Sequence, residues 1–233
     1  MNLSIRQQKY LKLMNIDIWR NREPRSDEIL SGKIDEDQLH SLSNEELDEW
    51  DNLKKQVSVC NKCVLHQSRN QTVFGSGSDT ADWMLIGEAP GAEEDRTGKP
   101  FVGRAGILLT SMLNAIGLER EKVFIANILK CRPPNNRDPA ANEVASCGDY
   151  LRKQILHIKP KIILAVGRIA AQNLLDTDVP IGKLRGKVYE YGDLGIPLLV
   201  TYHPAYLLRS PREKRKSWED LNAALKLYNK LSQ

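Results

Sequence analysis

Four short apolar runs constrain this chain more than any other feature. They lie at 83–87, 123–128, 161–167 and 197–202, each rich in Ile, Val or Leu and each bounded by turn signals. Runs this short, without polar alternation, suit strands buried on both faces. Helical patterns separate and follow them, at 104–116, about 140–157, 168–175 and about 213–231. Strands alternating with helices predict an α/β fold, with a four-stranded parallel sheet covered on both sides and right-handed crossovers.

A chain of 233 residues can bury one such core and carry a small appendage besides. We divide it into an appendage at 1–35 and a main domain at 36–233. Within the main domain, Ser43-Asn44-Glu45-Glu46 reads as a capping box. Its helix should run through Leu47, Trp50 and Leu53 to about Val57 and deliver the chain to Cys60. No apolar stretch approaches the roughly 18 residues of a membrane span, and the first six residues lack the apolar core of a secretory signal. No membrane association and a cytoplasmic location are therefore expected. The net charge of +4 is mild, and it permits nucleic-acid binding without demanding it. Basic residues gather in the last third, at Lys183, Arg185 and Lys187 and again at Arg209, Arg212, Lys214, Arg215 and Lys216.

In an open parallel sheet, ligands bind beyond the C-terminal ends of the strands. Each apolar run here ends in polar chemistry. The first leads into Gly87–Gly106, a stretch holding five glycines, the adjacent acids Glu93, Glu94 and Asp95, a further acid at Glu88, and Phe101. The second ends at Asn127, the third at Gly167-Arg168, the fourth at Thr201-Tyr202-His203. The topology would bring Glu88, Glu94, Asn127 and His203 to one pocket. An Asn amide offers a donor and an acceptor in one plane, matching the edge of a pyrimidine. A Phe supplies a stacking face. A His at the mouth can donate to an oxygen that gains negative charge. The chemistry suggested is base recognition with an anionic leaving group. Singly, Asn127 could be a satisfied turn amide and His203 a ring packed before a proline.

Cys60 and Cys63 are separated by two residues, Cys131 and Cys147 by fifteen, and no other cysteine exists. Disulfides are unexpected in a cytosolic chain. One close pair and two distant thiols suit a four-thiolate metal shell, which the spacing leaves open between zinc and iron–sulfur.

From about Cys60 to Leu227 the chain resembles the family 4 uracil-DNA glycosylases. The resemblance is carried by Cys60-x2-Cys63, Val73-Phe74-Gly75-Ser76-Gly77, the Gly87–Gly106 stretch, Asn127-Ile128-Leu129-Lys130-Cys131-Arg132-Pro133-Pro134, Cys147, and His203-Pro204-Ala205 with Leu207-Leu208-Arg209. It implies a three-layer α/β/α sandwich with a four-stranded parallel central sheet, and a monomer. It implies a [4Fe–4S] cluster on Cys60, Cys63, Cys131 and Cys147. The implied substrate is uracil-containing DNA, whose damaged base must leave the stack. Phe101 would stack on that base beside Gly87 and Ala89, Asn127 would read its edge, and His203 would donate to O2. Leu207, Leu208 and Arg209 look like a minor-groove wedge, and the loop bearing Lys183 and Arg185 like a phosphate contact. The better-known family 1 enzymes carry an Asp at the slot matching Ala89. The water activator must then be another carboxylate, Glu88 first, Glu94 or Asp95 otherwise, and either Glu could instead exclude the thymine methyl. A related branch bonds covalently to the abasic sugar through a His after the Asn strand. Here that region, Arg132–Asp138, holds no His, so no trapped adduct is expected.

Residues 10–20 resemble the partner-binding N-terminal peptide of the bacterial clamp-loader psi subunit, implying a replication-machinery partner for residues 1–35. A helix packed on the core or a disordered tail suits that pattern equally. Two alternatives differ in kind from an active glycosylase: a catalytically silent DNA-binding protein of the same fold, and a zinc-stabilised module.

Overall fold

The computed structural model describes residues 49–232. The appendage at 1–35, its boundary and the capping box at Ser43 all lie outside the described residues. The first described helix, α1, covers 49–58. It is followed by β1 (Ser76–Gly77), β2 (Trp83–Gly87), α2 (Ala92–Thr97), α3 (Arg104–Ala115), β3 (Phe124–Asn127), α4 (Ala141–Ile158), β4 (Ile162–Val166) and α5 (Arg168–Leu174). The chain continues through α6 (Ile181–Leu184), β5 (Tyr189–Tyr191), β6 (Ile196–Thr201), α7 (Pro204–Arg209) and α8 (Lys214–Leu231).

The sheet order is β1-β3-β2-β4-β6-β5. The four expected strands form its parallel centre, with Gly87 opposite Asn127, Ile86 opposite Ala165 and Val166 opposite Thr201. The sheet itself is six-stranded and mixed, which corrects the four-stranded expectation. Both edges are antiparallel additions. Each is too short and too weakly apolar to signal itself. Ser76-Gly77 is two residues long, and Tyr189-Glu190-Tyr191 is only half-buried. Short edges of this kind also leave little open ladder for unwanted pairing.

Alternate residues of the central strands face opposite cores. Met84, Ile86, Ala126, Ile163, Ala165 and Val200 pack with α4 and α1 on one face. Leu85, Ile125, Ile162, Leu164 and Leu199 pack with Leu109 and Leu113 of α3 and Leu221 and Ala224 of α8 on the other. Helices thus cover both faces of the sheet. Chain order reverses between β2 and β4, because β3 lies on one side of β2 and β4 on the other. That switch point is where a doubly wound sheet opens a crevice.

Trp50 anchors α1. Its ring stacks on His157 of α4 at 4.3 Å and meets Phe74 edge-on at 4.9 Å. Trp50→Ala should cost about 3–5 kcal/mol of stability by urea unfolding. Because α1 leads directly to Cys60, the variant should also expose Cys60 and Cys63 to a thiol reagent sooner than Cys131 and Cys147.

Candidate active site

An open cleft of about 790 Å3 lies beyond the C-terminal ends of the parallel strands, a size usual for ligand sites. Glu88, Ala89, Glu94, Phe101, Asn127, His203 and Arg209 all line it. Lys183, Arg185, Leu207 and Leu208 do not.

Gly87 ends β2 at the floor. A Cβ there would lie 2.5 Å from Asn127 Oδ1 and 2.6 Å from Phe101 Cζ, so the amide and the ring occupy the space a side chain would need. Phe101 holds its position with a left-handed backbone, φ 50°. The first turn of α3 closes under it, where a Cβ on Gly106 would meet Phe101 O at 1.8 Å. Asn127 is buried, and its Oδ1 has no hydrogen-bond partner. Such an orphan acceptor costs on the order of 1–3 kcal/mol and points to a ligand that satisfies it.

His203 caps α7, and its Nδ1 accepts from Ala205 N–H at 3.1 Å. That bond leaves the ring proton on Nε2. Burial, with Arg209 nearby, pulls the imidazole down to about 4, so the ring is neutral at physiological pH. Its ring centroid is 5.5 Å from that of Phe101. A Cβ on Gly167 would fall 2.9 Å from His203 Cβ, so the left-handed glycine ending β4 lets the His approach.

The three candidate carboxylates separate by environment. Glu94 Oε2 accepts from Gly91 N–H at 3.1 Å, and Oε1 accepts from Val102 and Gly103 N–H at 2.9 and 3.1 Å. It caps α2 and clasps the far end of the loop. Asp95 is buried and accepts from the Asn70 backbone and side chain. The Glu88 carboxylate has no hydrogen-bond partner among the described residues. Burial raises its pKa, Asp138 raises it further, and Arg168 opposes them. Arg168 and Asp138 form an ion pair at 2.7 Å and both line the cleft. Helix α2 lies inside the Gly87–Gly106 stretch, ahead of the helices expected from 104 onward. Three acids directly after Gly91 were the available signal, since acids favour a helix's first turn.

The expected DNA contacts divide as well. Leu207 is 1% exposed. It lies three residues after the buried Pro204, on the inward side of α7. Tyr206, Leu208 and Arg209 are exposed, so the outward side of this turn presents these three and not Leu207. Arg185 is committed internally. It makes a bidentate pair with the buried Asp220 at 2.7 and 2.8 Å, bonds Lys216 O, and lies 4.4 Å from the centre of the Tyr202 ring. Lys183 is exposed.

The four cysteines line a separate small cavity, and none is in a disulfide. Among the described residues, no group of three His, Cys, Asp or Glu side chains is placed to hold a single metal ion. Donors face the sulfurs. Arg69 Nη1 donates to Cys131 Sγ at 3.0 Å and Lys130 N–H to Cys147 Sγ at 3.3 Å. Lys62 also borders the cavity, over the Tyr150 ring. Burial pushes the Cys131 thiol up to about 11 and raises Cys147 too, so loading such a shell with metal must release protons.

Comparison with known proteins agrees with this arrangement. The profile of the Uracil DNA glycosylase superfamily matches residues 74–226. The type-4 uracil-DNA glycosylase of Archaeoglobus fulgidus is 45% identical over 180 residues, 75% of this chain and 90% of that protein. That of Saccharolobus solfataricus is 46% identical over 181 residues, covering 75% and 84%. That of Thermotoga maritima is 43% identical over 175 residues, covering 74% and 91%. The chain belongs to the uracil-DNA glycosylase superfamily, and within it to the type-4 family.

The His203 geometry fixes a pH dependence. Protonation would place a second N–H against Ala205 N–H, so the imidazolium is disfavoured until the pH falls toward 4. His203 should titrate at about 4 by NMR, not at the ordinary 6.5. The single-turnover rate should show no loss attributable to His203 between pH 8 and 6. A ring titrating near 6.5 would contradict this reading. For Arg185, Asp220→Ala should cost about 3–5 kcal/mol in unfolding experiments, because it strands a desolvated guanidinium.

Proposed function

We propose that the chain is a monofunctional uracil-DNA glycosylase, hydrolysing the N-glycosidic bond of a uracil drawn out of DNA and so starting base excision repair. The observation that carries this is the buried amide of Asn127, whose Oδ1 lacks a partner, beside the Phe101 ring. A flat ring stacked on Phe101 would give Asn127 Oδ1 the N3–H donor it lacks, and O4 would take the amide N–H. Oδ1 demands a donor, so uracil is accepted where cytosine, with an acceptor at N3, is not. His203 Nε2–H would donate to O2. The N1–C1′ bond breaks with both electrons passing to uracil, and the neutral donor stabilises the anion as it forms. Water held by Glu88 adds to C1′, and its proton passes to that carboxylate. Glu88 suits this task because both its oxygens are free and its pKa is raised. Glu94 is spent on the loop. Tyr206, Leu208 and Arg209 would fill the vacated stack, and Lys183 would meet phosphate.

Cys60, Cys63, Cys131 and Cys147 would hold a [4Fe–4S] cluster. The thiols share one cavity, N–H donors face two sulfurs, and cationic side chains surround them, as a negatively charged thiolate cluster requires. When bound, the cluster supplies a covalent cross-link between the end of α1, the β3 exit and α4.

Incubation with a uracil-containing oligonucleotide tests the main reading. Free uracil and an alkali-labile site should appear, with no denaturant-resistant protein–DNA adduct. DNA binding without uracil release would favour the silent alternative. Iron and sulfide in the ratio of a [4Fe–4S] centre are expected, and zinc in their place would refute the cluster assignment. Glu88→Gln should slow single turnover about 100-fold, and His203→Ala about 100- to 1000-fold. An unchanged rate in Glu88→Gln would remove that residue as the activator.

A further inference from the structure

We propose that Lys130 is a positioning residue for Asn127, holding the base-reading strand end against the wall of the cysteine cavity. This rests on the role given to Asn127 above.

Lys130 is 1% exposed and is the largest fully buried side chain among the described residues. Its ammonium folds back along the chain. Nζ donates to the Asn127 carbonyl at 2.9 Å and to Gln154 Oε1 at 2.6 Å. Gln154, on α4, is fully buried and donates in turn to Phe74 O at 2.8 Å. The Lys130 backbone is fixed at both poles. Its N–H donates to Cys147 Sγ, and its carbonyl accepts from Val73 N–H at 2.7 Å. One residue therefore touches the peptide of the base-reading Asn, the β1 approach, α4 and a cysteine of the cavity.

The charge explains why this matters. Among the described residues no carboxylate bonds to the ammonium, and its two hydrogen-bond acceptors are neutral oxygens. Burying a cation on such terms is expensive. A Met or Leu would fill the same volume without that cost. What a hydrocarbon cannot do is fix the direction of a carbonyl. Asn127 lies at the end of the parallel ladder, where the next two amides, Ile128 and Leu129, already cross to Gly87 O and Glu88 O. The ammonium takes the Asn127 carbonyl, which shares its peptide unit with the Ile128 N–H, so that peptide is held on both sides and resists rotation. Charge-assisted bonds of this kind are about twice as strong as neutral ones. A slight tilt there would move Oδ1 away from N3 of a base stacked on Phe101.

The test uses the full chain, purified with its metal. Lys130→Met and Gln154→Met are compared with wild type, alone and combined with Asn127→Ala. The readouts are single-turnover rate, inhibition by free uracil, and iron content. Lys130→Met should keep its iron, slow the reaction about 10- to 100-fold and weaken uracil inhibition. Gln154→Met should show a smaller loss of the same kind. In the Asn127→Ala background, Lys130→Met should change the rate less than about twofold, because the group it positions is gone. A full multiplicative loss in that background would overturn the proposal. So would a wild-type rate in Lys130→Met, or loss of iron from both single variants, which would make Lys130 a strut of the cysteine cavity. Wild-type activity in Asn127→Ala would instead defeat the reading of Asn127 itself.

Discussion

At the end of β2, one added carbon on Gly87 would lie within 2.6 Å of both the Asn127 amide and the Phe101 ring. The absence of that carbon lets the Asn127 amide and the Phe101 ring meet at the switch point of the sheet. The rest of the site is arranged around this contact. Gly106 allows α3 to close beneath Phe101, and Gly167 lets His203 come in from the neighbouring strand end. Close approach at three glycines replaces what a larger active site would achieve with long, mobile side chains.

The central strands were legible because burial on both faces leaves an unbroken apolar run. Asn127 and His203 were legible because a parallel sheet sends all its strand ends to one edge. The edge strands were not, since two or three residues of Ser, Gly, Tyr and Glu carry no periodic signal. Helix α2 was hidden inside a glycine-rich stretch whose acids suggested catalysis. Glu94 serves a capping role, returning to Gly91 N–H as a capping box does. Residue type alone could not divide Glu88 from Glu94. The difference lies in which backbone amides surround each carboxylate, and that is a tertiary fact.

Arg185 and Leu207 show the same limit. Basic and apolar residues in a loop expected to face DNA are read as contacts, yet helical phase turns Leu207 inward and Asp220 captures Arg185. What remains exposed beside the cleft is Tyr206, Leu208 and Arg209, an aromatic, an aliphatic and a cation within one turn. Lys130 is the reverse case: a long cationic side chain next to Cys131 carries no sign of burial, and the fold places it among the most buried side chains of the described residues.

Glu94 has a wider consequence. Its two oxygens bind amides at Gly91, Val102 and Gly103, fastening both ends of the segment that carries Phe101. The conformational entropy of that segment is lost when the chain folds, before any DNA arrives. That segment therefore adds no ordering cost of its own when a ligand enters the cleft.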